Sequence, residues 1–392
     1  MPPDGSLVST DKPVEPVETA TPFAALPGAV GSPPEHYGNP IAEQRALARG
    51  EAIVDLSDRD VLSITGDDRL SWLDSLTSQA LTRLPAGGSS ETLLLDPSGR
   101  IEFVARVLDD GTTTWLLLDA GLGEGFRAFL DRMRFMLRVE VADRTAEFAT
   151  VGALGEVPAA LAEFAAAPHG VPLIWQDGWA EVAAGGHSYA AAEGHPGAEW
   201  RAVEVLVPRD RLADLAATGT PVSGSLALEA LRIAAWRPRA ATELDATTLP
   251  HELDWLRSAV HLAKGCYRGQ ETVAKVHNLG HPPRRLVFLH LDGSEGVAAA
   301  AGDEVRSGEK VVGQLTSVAR HHELGPIALA LVKRSAPVDA ELTVVTADGT
   351  LLAAAQEIVV PPEAGASANV PRLPRLGPLG SRGGDLDERP RH

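Results

Sequence analysis

Apolar positions follow helical spacing in some segments of the chain and strand spacing in others. Leu70, Leu73 and Leu76 recur on one side of a helix predicted over 67–78. Three strand-like runs follow it, separated by turns rich in Asp and Gly, and they predict an antiparallel meander. These runs are 91–95, 100–108 and 112–118. Helical spacing then returns over 126–133.

The pattern changes character after Pro282 and Pro283. Before them, a strand over 201–207 and helices over 210–217 and 226–236 continue the mixed order. After them, the apolar runs are short, and Gly or Asp-Gly turns separate them. These runs are 286–291, 311–318, 327–332 and 342–346. The sequence therefore predicts a mixed αβ region followed by a small β-barrel or sandwich.

Both ends of the chain lack a hydrophobic period. Residues 1–34 are rich in Pro, Ser, Thr and Glu, and residues 361–392 are rich in Pro, Gly and Arg. Segments of such composition bury too little apolar surface to fold. We therefore expect two disordered tails around the folded region.

The formal net charge of −18, with an isoelectric point near 5.1, narrows the range of ligands. A field of this sign repels nucleic-acid phosphates and anionic lipids, so neither a nucleic-acid nor a membrane partner is expected. Cys266 is the single cysteine, which excludes an internal disulfide and a cysteine-built metal cluster within one chain. The start lacks a basic signal-peptide region and no run approaches ~20 apolar residues, so the expected location is cytoplasmic.

The segment 264–271, K-G-C-Y-R-G-Q-E, concentrates polar and reactive groups. Its two glycines allow positive φ and a close approach of a ligand to the backbone. A helix is predicted from 270 to 278, so Cys266 precedes a helix N-terminus. The positive end of that helix and the two basic residues of the segment favour the reactive thiolate.

A structural role for the same residues is the competing interpretation. A lone cysteine is more often a small buried apolar residue, and Glu271 could simply pair with Lys275 one helical turn further on. The variety of polar groups between two glycines instead favours a small polar ligand. His277 and His281 lie nearby, but their spacing lacks the Cys-x-x-Cys or HExxH pattern of zinc sites, and we assign no metal.

The segment resembles the K-G-C-Y/F-x-G-Q-E signature of the YgfZ folate-binding family, a relative of the glycine-cleavage T-protein. Stretches at 36–38, 55–57 and 93–101 resemble the T-protein as well, and the likeness covers about 36–360. The resemblance implies an α+β fold, a T-protein-like three-domain cloverleaf. Its mixed αβ domains would include a ferredoxin-like unit, and a C-terminal small β-barrel would complete it.

This resemblance also implies a division of the chain. Residues 1–34 and 361–392 would be the tails, 35–280 the folate-binding αβ region and 281–360 the C-terminal β-barrel. The αβ region is expected to hold two interleaved subdomains, the second near 145–222. Tetrahydrofolate would occupy a channel between the domains.

A function and its residues follow from the same likeness. The family is associated with folate-dependent assembly or repair of iron–sulfur proteins, so folate and iron–sulfur client proteins or assembly factors are the expected partners. Cys266 is the expected reactive residue. Its folate-binding setting would comprise Lys264, Tyr267, Gly269, Gln270 and Glu271.

Two further folate contacts are candidates outside the segment. The stretch 248–252, T-L-P-H-E, resembles the T-protein segment whose Glu reaches the pterin ring, which makes Glu252 a candidate. A carboxylate can accept two N–H bonds from an aminopyrimidine edge, although a solvated loop position is an equal alternative. Arg232 could meet the anionic glutamate tail of folate, while simple exposure on an amphipathic helix is the commoner situation.

The likeness to the T-protein fails at a position that matters for catalysis. In an ungapped match, the catalytic carboxylate of the T-protein falls on Phe103, and the neighbouring Glu102 should point to the opposite face of the strand. This disfavours aminomethyl or methyl transfer or demethylation, which stays the alternative function. A third possibility is a non-catalytic scaffold whose Pro-rich tails recruit partners.

Overall fold

The computed structural model describes residues 20–294 and 296–368. The helices are α1 Pro40–Ala48, α2 Arg69–Leu76, α3 Gly123–Met133, α4 Ala159–Ala162, α5 Leu212–Ala216, α6 Ser225–Ala234, α7 Ala240–Glu243 and α8 Gln270–Leu279. The strands are β1 Val30–Gly31, β2 Pro34–His36, β3 Ile53–Leu56, β4 Asp60–Thr65, β5 Ser89–Leu95, β6 Ile101–Asp109, β7 Thr113–Leu118, β8 Glu140–Asp143, β9 Phe148–Leu154, β10 Ile174–Gln176, β11 Ala202–Pro208, β12 Val222–Ser223, β13 Arg284–Leu291, β14 Glu304–Ser307, β15 Lys310–His321, β16 Gly325–Lys333, β17 Leu342–Val345 and β18 Leu351–Ile358. Among these helices, none is long and apolar enough to cross a membrane.

The first sheet contains the predicted meander. Its antiparallel order is β5-β6-β7-β4-β8, with β5, β6 and β7 adjacent as their turns require. Both faces are buried, because Leu94 packs with α2 and α3 whereas Leu93 and Leu95 enter the core at the centre of the molecule. The alternation of side chains along β5 therefore joins this sheet to the rest of the protein.

The second sheet has the order β10-β11-β9-β3-β12 and is interleaved with the first. The chain contributes β3, leaves to build the whole first sheet, and returns at β9, which pairs with β3 in antiparallel register. β12 then adds to β3 in parallel. Neighbouring strands of this sheet thus come from distant parts of the chain.

The region after residue 283 forms a closed barrel of six strands, β13-β16-β15-β14-β17-β18. Val287 and Leu289 on β13 face the interior of the barrel, and Leu286 and Phe288 face the central core. The barrel therefore packs on the αβ region through alternate residues of its first strand, with α6 contacting β15 and β16.

Both predicted tail boundaries need correction. Residues 22–36 form a short 3-10 helix and the β1–β2 hairpin, and Phe23 is fully buried against the second sheet. At the other end, the carbonyl of Ala364 accepts a hydrogen bond from the ring of His281 at 2.8 Å. A few long-range contacts hold these stretches, which composition alone does not reveal. The remaining predicted tails, 1–19 and 369–392, lie outside the described residues.

Candidate functional site

A charged cavity of about 50 Å³ lies where the two sheets meet the segment after α6. Five arginines and five carboxylates line it, which are Arg59, Arg106, Arg232, Arg237, Arg239, Glu91, Asp119, Asp177, Glu204 and Glu229. The space that remains between them suits a few water molecules. So many charges in a buried place are costly unless each is paired, which makes their pairing informative.

Two guanidinium groups organise this central cavity. Arg237 donates to Glu91 at 2.7 Å and to Asp177 at 2.9 Å, and its guanidinium stacks on the ring of Trp179. Arg106 pairs with Asp119 at 3.2 Å. Burial by itself would lower the pKa of Arg106, but Glu204 and Asp119 raise the pKa above its ordinary value.

Asp119 is held as an anion at the end of β7. Burial favours its neutral form, but Arg106, Arg59 and Arg239 lower the pKa of the carboxyl group far below its ordinary value. The backbone N–H of Ala241 donates to it at 3.1 Å. Asp119 also borders two wider openings, so it marks the point where the cavity and both openings meet.

Glu204 is a buried carboxylate of the cavity with an oxygen that remains available to accept hydrogen bonds. It is 6% exposed, and Oε1 pairs with Arg106 at 3.1 Å and with Arg59. Oε2 has no hydrogen-bond partner among the described residues. Sequence analysis missed Glu204, although a signal exists: it is the single charge in the otherwise apolar run of β11, A-V-E-V-L-V-P.

A wide cleft of about 960 Å³ opens beside Asp119. β6, α3, the 240–246 stretch and Arg268 border it, and Arg268 is paired across it with Glu102. On another side, an opening of about 420 Å³ lies between the β1–β2 hairpin and Arg59. The cleft has the volume of a typical small-molecule site, which the cavity alone does not.

Segment 264–271 lies at the edge of this cleft and continues into α8. Gly269 has φ of +82°, and a Cβ at this position would lie 2.6 Å from the carbonyl oxygen of Asp96. Only glycine therefore allows the segment to pass so close to the turn after β5. The backbone N–H groups at the start of α8 follow directly.

Lys264 has a structural role. Its side chain is 3% exposed, and Nζ donates to the carbonyl oxygens of Thr77 at 2.8 Å and Gln79 at 2.7 Å, and to that of Asp74. An ammonium here satisfies carbonyls at the C-terminal end of α2 and interacts favourably with the helix dipole. The prediction that Lys264 contacts folate is therefore corrected: its three donors are already in use.

The other members of the segment divide between core and surface. Tyr267 is buried in the central core, and burial raises the pKa of its hydroxyl. The Gln270 amide donates within the segment, to the carbonyl of Gly265 at 3.3 Å. Cys266 and Glu271 are exposed. The cleft is bordered by Arg268 from this segment, which was not among the predicted contacts.

The two predicted contacts outside the segment are already paired. Glu252 is fully buried and accepts from Arg284 at 2.8 Å, so it joins the αβ region to the barrel and needs correction as a pterin contact. Arg232 is buried as well, donating to Glu229 at 2.6 Å and to Ser317 of the barrel at 2.7 Å. Both charges are already paired, and of the two Arg232 lines the central cavity. No sequence pattern reveals such distant ion-pair partners.

Phe103 and Glu102 point to different sides of β6. Phe103 stacks on Phe126 of α3 at a centroid distance of 5.1 Å. Glu102 lies on the same face of β6 as Val104 and Arg106, which line the central cavity. A carboxylate therefore does border the cleft beside Phe103.

A histidine and tyrosine cluster supports the far end of α8. The hydroxyl of Tyr189 and Nδ1 of His277 are hydrogen-bonded at 2.9 Å, and the rings of His187 and His277 are 4.7 Å apart. His251 is fully buried and bonds the carbonyl of Val273 at 3.1 Å. In the part of the chain that the structure describes, no group of three or more His, Cys, Asp or Glu residues is arranged to hold a metal ion.

Comparisons with known proteins agree with this architecture. Residues 284–362 match the glycine cleavage T-protein C-terminal barrel domain. A putative chloroplastic transferase of Arabidopsis thaliana is 26% identical, over 77% of this chain and 70% of its own length. An aminomethyltransferase of Rippkaea orientalis is 27% identical over 75% of this chain and 81% of its own. The tRNA-modifying protein YgfZ of Colwellia psychrerythraea is 22% identical over 61% and 71%.

A solved structure extends the comparison to the fold. The glycine cleavage system aminomethyltransferase T from Bartonella henselae superposes with a TM-score of 0.64 and 17% identity, covering 85% of this chain and 92% of its own. The T-protein-like fold with a C-terminal barrel, and the resemblance that predicted it, are confirmed.

Proposed function

We propose that this chain, which is related to the glycine-cleavage T-protein and to YgfZ, binds tetrahydrofolate where the central cavity meets the wide cleft. The observation that carries the proposal is Glu204, a buried carboxylate in the cavity with an unpartnered Oε2. A pterin presents N–H donors along its aminopyrimidine edge, and a carboxylate accepts such donors well. The hydrogen-bonding chemistry of Glu204 therefore matches the pterin edge.

The cleft supplies what the rest of a folate needs. Its volume of about 960 Å³ falls in the range of small-molecule sites. Arg100 lines it without an ion pair among the described residues, and Arg268 borders it beside Glu102. The guanidinium of Arg100 suits a carboxylate of a glutamate tail. Phe129 and Leu244 provide apolar contact for the aromatic middle of the ligand.

Each residue has a defined task in this proposal. Glu204 orients the pterin, while Arg59 and Arg106 hold Glu204 as an anion. Asp119 keeps Arg106 and Arg239 in place at the junction. Bound tetrahydrofolate would supply ring nitrogens that carry one-carbon groups.

We further propose the cellular role that the 264–271 signature suggests, which is support of iron–sulfur protein assembly or repair, with Cys266 as the reactive group. The exposed position of Cys266 leaves the thiol accessible to another protein. A deletion strain should lose iron–sulfur enzyme activity. We expect the wild-type protein to restore this activity and Cys266→Ala not to restore it. Rescue by Cys266→Ala would remove the thiol from the proposal.

Titration calorimetry with tetrahydrofolate tests the ligand. We expect binding by the wild type and affinity weaker by about tenfold or more in Glu204→Gln, since a charged hydrogen bond contributes ~1.5–3 kcal/mol. Glu252→Gln is the matched control, because Glu252 is also buried and paired with an arginine but faces away from the cavity. Absence of wild-type binding, or equal losses in both variants, contradicts the proposal.

Folate-dependent methyl or aminomethyl transfer is the second candidate, and Glu102 favours it. This carboxylate borders the cleft at the strand where the T-protein likeness places a catalytic carboxylate. Turnover of a methylamine or aminomethyl donor with tetrahydrofolate, abolished in Glu102→Gln while folate still binds, would establish it. No turnover by the wild type would leave binding as the function.

A further inference from the structure

An apolar loop projects from the end of α3 beside the cleft. It comprises residues 133–137, M-R-F-M-L, and all of its side chains are exposed. Phe135 is 83% exposed and Met136 is 88% exposed. Single apolar residues on a surface are ordinary, but a contiguous group of large ones marks an interaction site.

Both ends of the apolar loop are held firmly. Trp72 donates its indole N–H to the carbonyl of Met133 at 3.2 Å. Arg138, the residue after the loop, pairs with Asp67 at 2.7 Å and Asp68 at 2.8 Å. Gly66 has φ of +109°, and a Cβ there would lie 1.9 Å from the carbonyl oxygen of Arg138. Specific contacts therefore hold the tip of the loop, Phe135 and Met136, in solvent. Fraying of α3 does not account for the exposure of this tip.

The position of the loop relates it to the candidate site. Arg132 and Met133, where α3 ends, border the wide cleft, so the tip begins at the rim of that opening. Met136 adopts φ of +56°, an uncommon conformation for a residue other than glycine, and such backbone concentrates at ligand clamps and binding sites. A protein seated on the tip would reach the mouth of the cleft.

Charge around the tip selects among the possible occupants. Arg132 forms no ion pair among the described residues, and Arg134 meets Asp131 only at 3.8 Å. The whole chain carries −18, whereas Arg132 and Arg134 place two cationic side chains beside the tip. Anionic lipid would be repelled by the whole chain, and a symmetric second copy would bring identical arginines together.

We infer that the apolar loop is a docking site for a different protein, one whose surface has an apolar recess with an acidic rim. Phe135 and Met136 would fill the recess, and Arg132 and Arg134 would meet the rim. Large aromatic and Met side chains are typical anchors of such interfaces, and charged rims set specificity and association rate. The docked protein would cover the cleft that we propose for folate.

Photo-cross-linking in the native host cells identifies the occupant. p-Benzoylphenylalanine is placed at position 135 and, as a control, at Leu351, which is 62% exposed on the barrel. We expect a discrete product with another, acidic protein at position 135 and none at position 351. Products only with a second copy or with lipid, equal products at both positions, or no product at all would overturn the inference.

The captured protein is then purified and titrated with this chain in folate-free buffer. Phe135→Asp and Arg134→Glu should each weaken binding by about tenfold or more, and added salt should weaken wild-type binding further. Leu351→Asp should bind like the wild type. Unchanged affinity in Phe135→Asp would refute the docking site. Tetrahydrofolate binding by the same variants should be unaltered, which separates this inference from the proposed ligand.

Discussion

The 264–271 segment and the central cavity teach different things about where function lies. The segment is continuous in sequence and easy to recognise, yet its Lys264 holds the end of α2 and its Tyr267 packs in the core. The cavity is assembled from β5, β6, β7, β11 and the stretch after α6, and no short motif describes it. The segment therefore carries the resemblance noted in the sequence, while the cavity gathers ten charged residues into one place.

Burial of charge explains this difference in physical terms. An ion pair on the surface contributes little, and its loss is tolerated. In the cavity, a guanidinium without its carboxylates, or the reverse, leaves an uncompensated charge away from water. Buried charges that are paired but not fully bonded, such as Glu204, are the ones able to accept a ligand. Perturbed groups of this kind concentrate at functional sites.

The largest expected effect comes from breaking the cavity at Arg237. Arg237→Met removes the partner of Glu91 and Asp177, which are both buried, and should lower the free energy of unfolding by about 4 kcal/mol. Arg306→Met is the control, since Arg306 pairs with Glu304 on the surface and should cost less than about 1 kcal/mol. Urea unfolding measures both. Similar losses would mean that burial does not distinguish the two pairs.

Much of the fold could be predicted because its signals are local. Alternation along β5 and β6, the Asp-Gly turns, and the change after Pro283 each depend on neighbouring residues. The pairing of β3 with β9 could not be predicted in this way, since it joins strands far apart in sequence and local pattern does not specify partners. Phe23 shows the same limit, because it is fully buried in a stretch of disorder-prone composition.

The candidate site was less accessible to sequence reasoning for a related reason. The sequence does not distinguish a charged residue that meets solvent from one that meets a ligand or a distant counter-ion. Glu252 and Arg232 were therefore assigned to folate, although they pair with Arg284 and Glu229, respectively. A better signal was a charge inside an apolar strand. Glu204 gives that signal, because it is the single charge in the otherwise apolar run of β11.

The histidine and tyrosine cluster that supports α8 should make the stability of the protein sensitive to acid. Burial lowers the pKa of His251 to about 4 from its ordinary 6.5. The unfolded chain therefore binds a proton more readily than the folded one, and stability falls as pH decreases from about 6.5 to about 4, by ~3 kcal/mol for this residue.

His251→Gln tests this pH dependence. Glutamine keeps an N–H for the carbonyl of Val273 but does not titrate. Urea unfolding across the same pH range measures the free energy of unfolding of the wild type and of this variant. As the pH decreases, the difference between the two should shift by ~3 kcal/mol in favour of the variant. A difference independent of pH would show that His251 is not the titrating group.

A smaller loss is expected from Lys264→Met, which tests the structural role within the segment. The variant leaves the carbonyls of Thr77 and Gln79 without their charged donor, and water can partly replace it at the helix end. We expect about 2 kcal/mol of destabilisation with tetrahydrofolate affinity retained in the folded protein. Lys275→Met, on the exposed face of α8, is the control and should be neutral. Loss of folate binding without destabilisation would return Lys264 to the ligand site.

Cys266→Ser should have the smallest effect on the folded protein and therefore separates stability from chemistry most cleanly. The side chain is exposed, and serine preserves its size, so the free energy of unfolding should change by less than about 0.5 kcal/mol. Folate affinity should be unchanged because Cys266 does not line the cleft or the cavity. Calorimetry and urea unfolding measure these two quantities, and a reactive role would show only as lost rescue of iron–sulfur enzymes. A large loss of stability would instead mean that the thiol packs against the fold, which would contradict the contrast between an accessible segment and a buried, charged cavity.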